Sequence, residues 1–62
     1  MNITDEQKQL LTKYGVYITG DVNTLLLDLD DKITEIGFNQ DYSLNEIGLK
    51  LQRLYDQLYN QN

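Results

Sequence analysis

An all-α domain of three helices is the fold class this sequence predicts, and two stripes of apolar residues carry that reading. Val22, Leu26, Leu29, Ile33 and Ile36 recur at steps of four, three, four and three. This spacing keeps all five side chains on one side of a helix and turns the charged residues between them outward. A second stripe of matched length follows in Leu44, Ile47, Leu51, Leu54 and Leu58. Consecutive stripes of this kind are two halves of one packing surface, so the second and third helices form an antiparallel hairpin. A shorter first helix is expected to close one side of it.

Each element has its own start and stop signals. Thr4-Asp5-Glu6-Gln7 reads as a capping box, with acidic residues in the first turn where the helix dipole favours them. Leu10, Leu11 and Tyr14 give this helix its apolar side, Gly15 ends it in the left-handed region, and Val16 packs back against Leu11. Val16-Tyr17-Ile18 is β-prone but has no second strand to pair with, so it reads as an extended link with Val16 and Ile18 tucked under the helices. The second helix begins near Thr19-Gly20-Asp21 and ends at Gly37, read as a second left-handed stop with Phe38 packing onto Ile33. Ser43-Leu44-Asn45-Glu46 reads as another capping box, with Tyr42 and Ile47 as its hydrophobic staple. The helices then span about residues 5 to 14, 21 to 36 and 44 to 59, with Asn60-Gln61-Asn62 frayed. Gly48, in mid-helix, costs about 1 kcal/mol relative to Ala. The expected reason for it is the close approach of another helix or an aromatic ring.

Sixty-two residues make one domain, and a domain this small buries only about 60% of its unfolded surface. With no Cys and no His, disulfides, thiolate sites and the commonest general base and metal ligand are absent. Regular packing or self-association must supply the stability, and a homodimeric four-helix bundle is one way to do so. The longest apolar run, Leu25 to Leu27, is far short of a membrane span, and Met1 to Glu6 lacks the pattern of a signal peptide. A cytoplasmic location is the expectation.

The net charge of −5 is concentrated in residues 21 to 46, where seven carboxylates face Lys32 alone. Five basic residues without a cluster do not make a phosphate-binding surface, so direct nucleic-acid binding is not expected. The run Asp28-Leu29-Asp30-Asp31 invites a calcium-loop reading, but Lys32, Ile33 and Asn39 then fall at the fifth, sixth and twelfth loop positions and the match fails. On a helix, Asp28, Asp31 and Glu35 share one outer face, with Lys32 placed to pair with Asp28. The hydroxyls of Thr4, Thr12, Thr19, Thr24, Thr34 and Ser43 read as caps and helix surface, so neither a catalytic group nor a cofactor or metal site is expected.

The remaining candidates are surfaces. Tyr55 and Tyr59 lie one turn apart beside the third-helix stripe, and Leu27 and Leu49 fall on the far sides of their helices. Core packing with the hydroxyl reaching solvent is the expected role of the tyrosines, with a binding surface as the alternative, and the two leucines either cover the first helix, form part of an interface or carry no role. The leading expectation is an interaction module that binds an unidentified larger protein. The alternatives are an acidic inhibitor whose Asp28, Asp31 and Glu35 imitate nucleic acid, and a self-assembling structural piece.

Ile36-Gly37-Phe38 resembles the Met-Gly-Phe loop of ubiquitin-associated domains, but there the loop follows the first helix and here the second, so nothing is carried over. The richness in Asn, Gln, Ile, Lys and Tyr, with the run Leu49-Lys50-Leu51-Gln52-Arg53-Leu54-Tyr55, is similar to short helical proteins of phages and mobile elements of low-GC Gram-positive bacteria. That resemblance implies no particular activity.

Overall fold

A computed structural model describes residues 1–62 and contains three helices: α1 (Asp5–Lys13), α2 (Val22–Ile36) and α3 (Glu46–Gln61). The chain is all-α. α2 and α3 pack on each other as an antiparallel hairpin, more closely than α1 packs on either.

The Thr4 capping box is complete: the Gln7 N–H donates to Thr4 Oγ1 at 3.1 Å, and the Thr4 N–H donates to Gln7 Oε1 at 3.0 Å. α1 ends as the sequence predicts. Gly15 has φ +77°, the Val16 N–H reaches the Leu11 carbonyl at 2.8 Å, and the Gly15 N–H reaches that of Thr12 at 3.1 Å. This is a Schellman motif, and it draws Leu11 and Val16 together into the core. The link that follows is extended, but only Val16 is buried; Ile18 faces solvent. The Schellman turn fixes Val16 alone, and nothing downstream holds Ile18 in.

Asp21 caps α2 by accepting from the Asn23 N–H at 3.1 Å and the Thr24 hydroxyl at 3.0 Å. The buried face of α2 is Leu25, Leu26, Leu29 and Ile33, with Val22 and Ile36 half-buried at its edge. Leu25, outside the sequence stripe, is fully buried. Its burial widens the stripe, because α2 must cover α1 as well as α3. On α3 the core is Leu51, Leu54 and Leu58.

The junction of α2 and α3 differs from the expected one in three ways. Gly37 is not left-handed: its φ is −91°. A Cβ on Gly37 would lie 2.9 Å from Gly48 Cα, and one on Gly48 would run into the Gly37 carbonyl oxygen. The two glycines face each other where the helices touch backbone to backbone, so the close approach expected at Gly48 is made by Gly37 itself. Phe38, in turn, does not fold back on Ile33. It is 42% exposed and pairs with Leu44 in an isolated antiparallel bridge.

The cap of α3 is Asn45, not Ser43. The Ser43 hydroxyl and N–H are both spent on the Asp41 carboxylate, at 2.6 and 3.1 Å. Asn45 Oδ1 accepts from the Gly48 N–H at 2.7 Å, while its Nδ2 donates to the Ile36 carbonyl and its N–H to that of Gly37, both at 2.9 Å. One residue therefore caps both the start of α3 and the end of α2. The Tyr42 staple does not form, since Tyr42 turns into the left-handed region at φ 67° and is 86% exposed.

The last residues are not frayed. α3 continues through Gln61, and the Asn2 N–H donates to Asn62 Oδ1 at 2.8 Å while Asn2 Nδ2 donates to the Gln61 carbonyl at 3.0 Å. Side chains of Gln61 and Asn62 return hydrogen bonds to the Asn2 carbonyl. These bonds satisfy helix-end groups that would otherwise be left to water.

Candidate interaction surface

The sequence-derived surface residues fall into three separate places. Tyr59 is 66% exposed near the end of α3. With Val22, Asn23, Leu26 and Asn62 it lines a shallow groove of about 280 Å³ between the start of α2 and the end of α3. Its floor is apolar and its rim is amide. Tyr55, one turn earlier, is half-buried and packs against the core cluster. Leu27 lies on the outer side of α2 and Leu49 on the outer side of α3, at 67% and 48% exposure. Counting outward along both helices from the Gly37–Gly48 contact puts Leu27 about level with Leu58 and Leu49 about level with Ile36. The two leucines are then separated by about 13 Å along the hairpin at 1.5 Å per residue, and each faces away from the seam. They do not form one patch.

The acidic face is present and largely solvated. Asp31 and Glu35 are exposed and Asp28 is half-buried on the same side of α2. Lys32 pairs with Glu35 at 3.4 Å rather than with Asp28. The i,i+3 partner lies one turn along the same outer face, and a pair this exposed is weak. No group of three or more acidic side chains is gathered tightly enough to hold a metal ion. The Ser43 hydroxyl and then the Ser43 N–H hold the Asp41 carboxyl below its ordinary value of 3.8.

Most of the Ser and Thr hydroxyls are spent locally. Thr19 donates to the Asp21 carbonyl, Thr24 to the Asp21 carboxylate, Thr34 to the Asp30 carbonyl and Ser43 to Asp41. The Thr34 bond is the common helical contact to the carbonyl four residues back.

A polar cluster that the sequence reading missed joins α1 to the end of α3. Gln7 is buried, and its Nε2 donates to Gln57 Oε1 at 3.2 Å and to Gln61 Oε1 at 2.8 Å. Its Oε1 accepts from Gln61 Nε2 at 3.1 Å as well as from the Thr4 N–H. Every bonding position of the Gln7 amide is used, as a buried amide requires. The capping box already explained Gln7, which hid its second role. The available signal was the pair Gln57 and Gln61, one turn apart beside the Leu54 and Leu58 stripe.

No helix is long and apolar enough to cross a membrane. Comparison of the chain with protein-family models, with curated proteins and with solved structures returns no match.

Proposed function

We propose that this chain is a small, non-catalytic protein–protein interaction module of the cytoplasm, and that it docks a larger partner protein on the Tyr59 groove. The observation that carries the reading is Tyr59 itself, 66% exposed beside an apolar floor of Val22 and Leu26 and an amide rim of Asn23 and Asn62. An aromatic with a polar tip over an apolar floor is the composition of energetic centres in protein interfaces. Absence of His and Cys, and the local engagement of most Ser and Thr hydroxyls, support a role in binding rather than chemistry.

The test is affinity capture from source-cell lysate with tagged wild type, Tyr59→Ala, and a double Asp28→Lys, Asp31→Lys variant. A partner retained by wild type and the lysine variant but lost by Tyr59→Ala supports the groove. A nucleic-acid enzyme captured by wild type and lost with the lysine substitutions would replace this reading with acidic mimicry. Recovery of the chain alone, as a stable oligomer, would favour self-assembly.

A further inference from the structure

We infer that α1 is a displaceable strap: it lifts off the α2–α3 hairpin as one unit, and the surface it bares accepts a short amphipathic helix in its place. This goes beyond the Tyr59 reading: it concerns a second surface, the one α1 covers, and names the class of partner that surface would take. The first support is how α1 is held. Its nine residues are too few for a stable isolated helix, so its helicity depends on docking. Docking is narrow: Leu11 and Val16 enter the buried cluster, while Ile3, Leu10 and Tyr14 only border it. The rest of the attachment is the neutral amide cluster of Gln7, Gln57, Gln61, Asn2 and Asn62.

The second support is the hinge. Between the Schellman turn and the Asp21 cap, Tyr17, Ile18 and Gly20 are exposed, and no backbone hydrogen bond ties residues 17–20 to either neighbour. The α2–α3 junction is the opposite case, with facing glycines and a residue that caps both helices. Opening should therefore divide at the link and leave the hairpin intact, as sub-global openings follow the weakest boundary. The occupant is defined by what now fills the site: a helix presenting an apolar side chain as Leu11 does and, one turn before it, an amide that reaches Gln57 and Gln61 as Gln7 does.

Amide hydrogen exchange on the full chain reads the opening directly. In wild type, amides of residues 8–16 should exchange at least about tenfold faster than those of Leu29, Ile33, Leu54 and Leu58. Gln7→Ala should speed the α1 amides by a further factor of about ten, leaving the hairpin amides unchanged. A labelled peptide of residues 1–16 added to the full chain is the probe for the occupant. Its apparent affinity should rise about tenfold when the chain carries Gln7→Ala, since the competent fraction rises by that factor. A peptide with Leu11→Asp should not bind. Equal exchange of α1 and hairpin amides in wild type would overturn the strap, and it does so even if Gln7→Ala fails to fold. Opening without peptide binding would overturn the assigned partner class. Either failure leaves the Tyr59 groove to stand or fall by its own capture experiment.

Discussion

Gly48→Ala sets two calculable effects against each other. Replacing a mid-helix Gly by Ala gains about 1 kcal/mol of helix propensity. Against that, the new Cβ runs into the Gly37 carbonyl oxygen and sits 2.9 Å from both the Gly37 carbonyl carbon and Leu44 Cδ2. Leu44 can rotate away, but the Gly37 backbone cannot, so the helices must separate by roughly 1 Å to restore ordinary contact. Separation stretches the Asn45 bonds to the Ile36 and Gly37 carbonyls, both now 2.9 Å. Two weakened hydrogen bonds at about 1 kcal/mol each and an overpacking cost of about 1–3 kcal/mol outweigh the propensity gain. The expected net loss is about 2 to 4 kcal/mol, or about 10–30 °C in Tm for a domain this small. Urea and thermal unfolding followed by circular dichroism would measure it, with Gly20→Ala as control, since nothing lies within 4 Å of a Cβ there. A Gly48→Ala chain as stable as wild type would refute the backbone contact and leave helix propensity as the larger effect.

Other expectations follow from the same geometry. Asn45→Ala should cost about 1–2 kcal/mol in urea unfolding, whereas Ser43→Ala should change stability by less than about 0.5 kcal/mol; the reverse order would restore Ser43 as the cap. Because the folded-state pKa of Asp41 is lowered, its stabilisation is present above the ordinary value of 3.8 and is lost as pH falls through the folded value. A thermal-unfolding series on the acid side should show this loss, and Ser43→Ala should reduce it to the part that the Ser43 N–H supplies. Leu29→Ala, at a fully buried site, should cost about 2–5 kcal/mol, whereas Leu27→Ala at 67% exposure should stay within about 0.5 kcal/mol. Equal effects at the two positions would contradict the assigned helix face.

Most of the fold was legible because periodicity reports a buried face directly. The α2 and α3 stripes, the Thr4 box and the Gly15 stop each rest on one local rule that tertiary contacts reinforce. The misreadings cluster at the α2–α3 junction, where two local rules competed and tertiary geometry decided. Gly37 satisfies a helix-stop pattern, yet it is not left-handed, and what a Cβ there would meet is the Ile33 carbonyl oxygen at 2.5 Å and Gly48 Cα at 2.9 Å. Ser43-x-x-Glu46 satisfies a capping pattern, yet Asp41 takes the hydroxyl and Asn45 has the further acceptors of α2 within reach. The clasp of Asn2, Gln7, Gln61 and Asn62 was invisible for another reason. Amides carry no periodic signal, and a contact between residues 60 apart cannot be read from local spacing. For the candidate surface, the sequence placed Tyr59 beside the core stripe and favoured core packing for it, whereas the side chain is 66% exposed. Sequence could not show that Val22 and Leu26 lie under it, or that Leu27 and Leu49 lie elsewhere.

The most direct test of the proposed role is the salt dependence of affinity for the captured partner, measured by titration with wild type and Tyr59→Ala. Docking on the apolar groove requires that raising salt from about 0.05 to 0.5 M change the dissociation constant by less than about threefold, because little of the contact is ionic. Tyr59→Ala should weaken binding at least about tenfold. A dissociation constant that climbs steeply with salt and ignores Tyr59→Ala would contradict the groove and place the binding on Asp28, Asp31 and Glu35.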